Sequence, residues 1–253
     1  MAKISKQKAK LHLEACEMLE QDVLSRTEID FVYGNWLPSY NNNTSWSGAF
    51  FTPLELLRDF SIYTPESGRC VDLCAGIGGL TRATIDNSSE MDRLDMICVE
   101  LNYEYYEVGK KLVPEATWIH GSIFDKVIFD RLKGYDKIHA VISNPPFGNM
   151  KIDKQDWLNY NGVAELMAVE VGLKLADYGV FILPQGSLPF QYSGQQCYSE
   201  KESRVFNKFK TCNPDFGISP SSVDTSFVKD EWLDASPTVE IITVDKIFDN
   251  VRV

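Results

Sequence analysis

The chain has 253 residues and a formal net charge of −11, with 44% hydrophobic and 24% charged residues. This composition is typical of a soluble globular protein with one large domain or two small ones, and no stretch approaches the ~20 apolar residues of a membrane span. The negative net charge argues against a surface that is basic throughout. Most nucleic-acid-binding proteins show a basic surface region.

The N-terminal segment, residues 3–25, predicts an amphipathic helix, because apolar residues recur at intervals of four. The stripe consists of Leu11, Ala15, Leu19 and Val23. Residues 29–50 are rich in Asn, Ser, Gly and aromatic residues. They predict a long ordered loop that reaches into a site, since so many aromatic side chains would be costly to expose in a linker.

A helix start is predicted next, in the stretch Phe-Phe-Thr-Pro-Leu-Glu. Thr52 is a good N-cap residue, Pro53 suits the first helical position, and Glu55 would complete a capping box.

Strands and helices then alternate to about residue 184, which predicts βαβ units and a mainly parallel sheet. The run Gly-Arg-Cys-Val-Asp predicts a strand before a glycine turn and a helix, and Tyr-Gly-Val-Phe-Ile-Leu-Pro predicts a later strand. Residues 204–212 and the apolar run near the C-terminus predict two late strands, or a helix and strands. The last strand pair is expected to be antiparallel.

The glycine turn, Asp-Leu-Cys-Ala-Gly-Ile-Gly-Gly, follows an apolar strand and precedes a helix. Glycines there permit a tight turn and a close backbone approach to a ligand at the helix N-terminus. Glu100 ends the next strand, 22 residues after Gly78, where a carboxylate can accept both hydroxyls of a ribose. This fits NAD and S-adenosylmethionine equally well. Asp72, ahead of the glycines, could receive an ammonium group and favours S-adenosylmethionine.

The six cysteines and three histidines form no pattern of metal ligands. Cys70 and Cys74 are close in sequence, but no second pair and no nearby histidine would complete a structural zinc site. Free thiols in a reduced, cytoplasmic protein are therefore expected.

A further strand is stopped abruptly by Ser-Asn-Pro-Pro-Phe-Gly. The side-chain amide oxygen of Asn144 and the carbonyl of Pro145 can accept the two N–H bonds of an exocyclic amine, which stabilises the positive charge that develops on methyl transfer. Pro145 and Pro146 stiffen the loop, and Phe147 offers a face on which a flat group can stack. The carboxyl edge of parallel strands is where such sheets bind ligands.

These motifs together resemble the S-adenosylmethionine-dependent N6-adenine DNA methyltransferases, over roughly residues 46–190. The carriers of the resemblance are Asn-Pro-Pro-Phe, Asp-Leu-Cys-Ala-Gly-Ile-Gly-Gly, Val-Glu-Leu-Asn and the upstream Gly-Ala-Phe-Phe-Thr-Pro. Their order matches the gamma group. The resemblance implies a class I, Rossmann-like α/β methyltransferase fold, with a mostly parallel seven-stranded sheet and an antiparallel last strand. It implies a catalytic domain over 46–253, preceded by an N-terminal helix and extended arm over 1–45.

The resemblance also implies which residues perform each task. Transfer of the methyl group would depend on Asn144, Pro145, Pro146 and Phe147. The cofactor would be held by Phe51, Thr52, Pro53, Asp72, Ala75, Gly76, Gly78, Glu100, Leu101, Ser122, Ile123 and Asn144. In particular, Phe51, Thr52 and Pro53 would close over its methionine end.

One position departs from the family pattern. Ser122 stands where the family usually has an aspartate at the adenine ring of the cofactor. Ser122 could accept weakly from the adenine amine, Ile123 and Phe124 could enclose the ring, and Asp125 is a displaced substitute.

Binding of the target is the least defined function in the sequence. Candidate substrate-binding residues are Phe147, Lys151, Lys154, Trp157 and Phe190. No separate target-recognition domain is expected. The net charge leaves two explanations: a basic cleft on an acidic body, or DNA recognition supplied by a protein partner or a second copy of the chain.

Three alternatives to DNA adenine remain at this point. The same chemistry could act on RNA adenine or on a protein glutamine side chain, although the glutamine enzymes tend to carry Tyr at the position of Phe147. A non-catalytic scaffold is the third. The expected location is the cytoplasm of a bacterial or phage-infected cell.

Overall fold

The structure is a computed structural model that describes residues 5–37, 51–89, 94–147, 150, 152–232 and 237–247. Seven strands form one sheet in the order β3-β2-β1-β4-β5-β9-β8. The parallel core consists of β1 (Gly68–Asp72), β2 (Leu94–Glu100), β3 (Thr117–His120), β4 (Ala140–Ser143) and β5 (Tyr178–Pro184). Because β1 lies between β2 and β4, its carboxyl end meets both neighbouring strand ends at one edge.

The last strand, β9 (Val239–Lys246), runs antiparallel to its neighbours β5 and β8 (Phe216–Pro220). The prediction of a mostly parallel seven-stranded sheet with an antiparallel last strand is therefore confirmed. A separate two-stranded hairpin joins β6 (Phe190–Gln191) and β7 (Ser199–Glu200) in the segment after β5.

Eight α-helices lie within the described part of the chain: α1 (Lys6–Leu19), α2 (Arg26–Asn35), α3 (Leu54–Ser61), α4 (Gly79–Asn87), α5 (Tyr103–Leu112), α6 (Lys126–Lys133), α7 (Ala164–Leu175) and α8 (Arg204–Cys212). Residues 204–212, which the sequence left open between strand and helix, are helical. In the same described ranges, no helix has the length and apolar character needed to cross a bilayer.

The side chains of the sheet alternate between two apolar cores. One core contains Val71, Val141 and Phe181 with residues of α6, α7 and α8. The other contains Cys70 and Ile142 with residues of α3 and α4. This alternation is the period of two expected of strands with helices on both faces, and it leaves the strand ends to form a site.

The predicted long loop over residues 29–50 is wrong in its first part, because residues 26–35 form α2. The Ser25 hydroxyl accepts from the backbone N–H of Glu28, and the Glu28 carboxylate accepts from the Ser25 N–H, so a capping box starts the helix. Val32 and Tyr33 of α2 pack in one cluster with Ile77 of the glycine turn. Residues 38–50 of the predicted arm lie outside the described residues.

The predicted N-cap at Thr52 is also wrong. Helix α3 begins at Leu54 with Pro53 at the N-cap position, and no side chain caps it. The hydroxyl of Thr52 accepts instead a 3.0 Å hydrogen bond from Nδ2 of Asn144.

Candidate active site

The glycine turn joins β1 to α4 at the carboxyl edge of the sheet. Gly76 and Gly78 have φ angles of +56° and +89°, a backbone conformation that residues with a side chain rarely adopt. A Cβ on Gly78 would lie 2.8 Å from Cγ2 of Val113, so the turn has no room for one. The predicted tight turn at the N-terminus of a helix is thus present.

Glu100 is bound to this turn across the end of the neighbouring strand. Its Oε2 accepts from the backbone N–H of Gly76 at 2.8 Å, and its Oε1 accepts from the N–H of Asn102 at 2.7 Å. Burial raises the pKa of Glu100 to about 7, although these backbone hydrogen bonds act in the opposite direction. The Glu100 side chain is therefore held beside the turn, and its ribose role stays a prediction.

Asp72 is fully buried at the end of β1, and its Oδ2 accepts a 2.9 Å hydrogen bond from the hydroxyl of Thr81 in α4. Burial raises its pKa to about 7, and the bond from Thr81 opposes that shift. The observed contact ties the strand to the helix after the turn. Its role toward an ammonium group stays a prediction.

Phe51 covers the glycine turn. Its ring atom Cε1 lies 3.3 Å from where a Cβ on Gly76 would stand, and the ring packs edge-on against Tyr105 with centroids 5.2 Å apart. Trp36, at the end of α2, packs against both rings, with its centroid 5.9 Å from that of Phe51 and 5.7 Å from that of Tyr105. The segment before α3 is therefore held over the predicted cofactor site.

Asn144 stands directly after β4, next to the strand that leads into the glycine turn. Its amide Nδ2 donates to Thr52 Oγ1, so the Asn-Pro-Pro-Phe loop touches the segment that covers the turn. Pro145 is buried, and Pro146 is partly buried. Two motifs separated by 92 residues, Phe-Thr-Pro and Asn-Pro-Pro-Phe, are brought together in this way.

The two phenylalanines predicted to contact the substrate are both buried. Phe147 is 7% exposed among side chains of the α3 core, and Phe190 is 2% exposed. Stacking of a base on Phe147 stays a prediction, and it requires one face of the ring to be uncovered. Phe190 is stacked on Tyr198, which is 45% exposed and which sequence reasoning missed because it lies in a loop without periodicity.

At the end of β3, the predicted adenine segment makes local contacts. The Ser122 hydroxyl oxygen accepts from the N–H of Phe124 at 3.2 Å, and Ile123 is buried. The carboxylate of Asp125, the displaced substitute, accepts from the N–H of Val127 and caps α6. Leu101, beside Glu100, exposes 54% of its surface.

The predicted substrate loop after Phe147 is fixed by a buried carboxylate, Glu170 of α7. Its two oxygens accept from the backbone N–H groups of Asn159 and Tyr160, at 2.6 and 2.8 Å. Trp157 packs against Phe129 of α6, with ring centroids 4.5 Å apart. Lys154 forms an exposed ion pair with Asp156 at 3.1 Å, and Lys151 lies outside the described residues.

A second buried carboxylate, Glu240 of β9, fixes the loop after β5. It accepts from Nε2 of Gln185 at 2.7 Å, from the N–H groups of Tyr192 and Ser193, and from the Ser193 hydroxyl. A third, Glu165 of α7, accepts from the Ser187 hydroxyl at 2.6 Å. Sequence reasoning missed all three, and the available signal was a lone glutamate in an apolar run.

Within the described ranges, no group of three or more His, Cys, Asp or Glu side chains is arranged to hold a metal ion. All six cysteines are free thiols, of which Cys70 and Cys98 are buried and Cys197 is exposed.

Replacement of Glu100 by glutamine is expected to change how stability depends on pH. A carboxyl whose pKa is raised by folding stabilises the fold below its ordinary pKa, and this contribution is lost as pH rises through about 7. From pH 4.5 to 8, the free energy of unfolding of the wild type should therefore fall relative to Glu100→Gln, by about 2–3 kcal/mol. Denaturant unfolding of both proteins across this range measures the difference, and parallel profiles would contradict the burial of an ionisable Glu100.

No protein-family model matches the chain, and no curated protein sequence matches it. Solved structures do. A type I restriction-modification system methyltransferase subunit from Streptococcus thermophilus superposes with a TM-score of 0.58 at 13% identity, over 91% of this chain and 52% of its own. This chain thus spans about half of that subunit.

Two further solved structures match over most of both chains. A Pyrococcus horikoshii protein described as an RNA methyltransferase gives a TM-score of 0.53 at 17% identity, over 88% of this chain and 100% of its own. A Listeria monocytogenes protein described as a class I S-adenosylmethionine-dependent methyltransferase gives 0.52 at 11% identity, over 98% and 90%. At these identities the likeness shows the fold, which is the class I methyltransferase fold.

Proposed function

We propose that this chain, with its class I methyltransferase fold, transfers a methyl group from S-adenosylmethionine to the exocyclic N6 amine of adenine in DNA. The observation that carries the proposal is the contact between Asn144 and Thr52, at the edge where the glycine turn and Glu100 also lie. An amine acceptor and a nucleotide-type cleft are thus next to each other. The restriction-modification methyltransferase subunit among the structural neighbours supports DNA as the substrate.

The residues of the cleft fit S-adenosylmethionine. Gly76 and Gly78 bring backbone close to a ligand at the N-terminus of α4, and the buried Glu100 carboxylate can accept from ribose hydroxyls. Phe51 and Thr52 cover the turn on one side, and Leu101, Ser122 and Ile123 follow the neighbouring strand ends, where the adenine ring would lie. When bound, the cofactor supplies an activated methyl group.

The protein's own contribution to transfer is to prepare the amine. The Asn144 amide oxygen and the Pro145 carbonyl accept the two N–H bonds of the adenine N6, whose lone pair is otherwise delocalised into the ring. These acceptors also stabilise the positive charge that develops on nitrogen. Each such bond contributes ~1.5–3 kcal/mol when a charged group is involved.

The proposal is tested by offering labelled S-adenosylmethionine with duplex DNA, RNA and protein in parallel, followed by nucleoside and amino-acid analysis. We expect label in N6-methyladenine from DNA, at a rate about a hundred- to thousandfold lower with Asn144→Ala. Label only in RNA adenine or only in glutamine would show that DNA is not the substrate, while the methyl-transfer reaction of the proposal would stand. No label in any of them, in a protein that binds the cofactor by calorimetry, would indicate a non-catalytic scaffold.

We propose that a partner subunit or a second copy of the chain supplies the residues that recognise DNA. The supporting observations are the net charge of −11 and the resemblance in fold to a subunit of a multi-subunit system. Of the two lysines predicted to contact phosphate, Lys154 already pairs with Asp156. An acidic surface repels a phosphate backbone, so the isolated chain should bind DNA weakly.

Gel shifts of the purified chain on duplex DNA should therefore show loose binding that fades as the salt concentration rises. Tight, sequence-specific binding by the chain alone would overturn the proposal of a borrowed recognition element.

A further inference from the structure

We propose that Thr52 is a positioning residue that holds the Asn144 amide in the place from which its oxygen can accept from the substrate amine. This inference rests on the proposed function, because it assigns a specific task within that site. The resemblance implies that Thr52 binds the cofactor, and the local sequence predicts that it caps the N-terminus of α3. The structure shows its hydroxyl in contact with Asn144.

The argument starts from the two unlike ends of an amide. The nitrogen end only donates hydrogen bonds, and the oxygen end only accepts them. The Asn144 nitrogen donates to Thr52 Oγ1 at 3.0 Å. The oxygen end is therefore directed away from Thr52. With the amide rotated by 180°, its two N–H groups would face the N–H groups of the substrate amine, and neither side could accept.

Among the described residues, no side-chain cap at the start of α3 competes with the Asn144 nitrogen for Thr52 Oγ1. A hydroxyl can donate as well as accept, so this contact fixes the position of the amide, and the N–H donors of the substrate amine favour the orientation in which the amide oxygen faces them. No side chain caps α3, and the backbone N–H of Leu57, in the first turn, donates to the carbonyl of Pro53. The backbone on both sides is also fixed. Phe51 packs on Tyr105 and over Gly76, and Leu56 and Leu57 of α3 are buried.

Thr52 also joins the two halves of the site. Its neighbour Phe51 lies against the glycine turn, and its own hydroxyl contacts the acceptor of the substrate amine. Any displacement of this segment from the turn would move the partner of the Asn144 amide as well. Correct placement of the segment over the cofactor cleft is thus coupled to the position of the acceptor.

The test compares Thr52→Val, which keeps the shape and removes the acceptor, with Thr52→Ser, which keeps the acceptor. We expect kcat to fall about 10- to 100-fold in Thr52→Val and to recover to within about threefold in Thr52→Ser. The Kd for S-adenosylmethionine and the KM for DNA should change little in either. In the Asn144→Ala background, Thr52→Val should add almost nothing, because its partner is already gone.

A second measurement does not depend on activity. The side-chain amide protons of Asn144, assigned by their absence from the spectrum of Asn144→Ala, should exchange with solvent faster in Thr52→Val than in wild type or Thr52→Ser. Unchanged exchange, or Thr52→Val with wild-type kcat, would overturn the inference. A wild-type chain that methylates none of the substrates would defeat the proposed function, while the exchange rates would still decide on Thr52.

Discussion

Replacement of Asn144 by alanine is expected to reduce methyl transfer to a small residual rate while leaving the affinity for S-adenosylmethionine nearly unchanged. Under the proposed function, the amide oxygen acts on the substrate amine, whereas the cofactor is held mainly by the glycine turn and Glu100. Loss of one preorganised hydrogen bond to a transition state costs about 2.7–4 kcal/mol, which is about a hundred- to thousandfold in rate. Because this hydrogen bond strengthens in the transition state, its loss should lower kcat.

Single-turnover rates of methyl transfer and calorimetry of cofactor binding measure the two quantities separately. Asn144→Asp is the finer comparison, since it keeps an acceptor of the same shape and adds a charge, and we expect it to retain partial activity. Full activity of Asn144→Ala on every substrate would reduce the Asn-Pro-Pro-Phe stretch to a strand terminator, and the proposed enzyme function would be lost with it.

Replacement of Glu100 by alanine is expected to weaken S-adenosylmethionine binding by about 10²- to 10⁴-fold. Two hydrogen bonds from ribose hydroxyls to a carboxylate are lost, each worth ~1.5–3 kcal/mol. The Gly76 and Asn102 N–H groups also lose their acceptor, so the turn is held less firmly before the ligand arrives.

Calorimetry on the purified variants measures this effect. Glu107→Ala is a suitable control, since Glu107 lies on the neighbouring helix α5, is partly exposed and pairs only with Lys110 among the ion pairs of the described residues. That variant should bind like the wild type. Equal affinity of Glu100→Ala and wild type would remove Glu100 from the ribose role.

The sheet could be predicted from sequence because each strand is a short apolar run bounded by turn residues, a pattern that lies within the strand's own segment. The run from Tyr178 to Pro184 is β5 with the predicted ends, and the glycine turn lies where the spacing of glycines indicates. The polar and aromatic composition of residues 29–50 concealed the end of α2, although Ser25 and Glu28 form a recognisable capping box. The capping box is a local signal for the start of a helix, whereas the composition of the residues after it is typical of a loop.

The role of Thr52 could not have been found from local sequence. Threonine, proline and glutamate at 52, 53 and 55 have the pattern of a helix start, yet the hydroxyl bonds to Asn144, 92 residues away. Likewise, a glutamate in an apolar strand, such as Glu240, signals a buried acceptor without indicating its donors. Gln185, Tyr192 and Ser193 become those donors only when the chain returns as β9.

The anchoring of the two loops by Glu170 and Glu240 has a consequence for how this protein could change its target. Each loop is fastened to the scaffold at a few backbone and side-chain donors, and the methyl-transfer residues lie on other segments. Residues between the fastening points can therefore vary without disturbing the chemistry. Under the proposed function, the methyl-transfer residues and the two loops are thus held by separate contacts. Grafted loops that keep the donors for these carboxylates would then change the target while leaving methyl transfer intact.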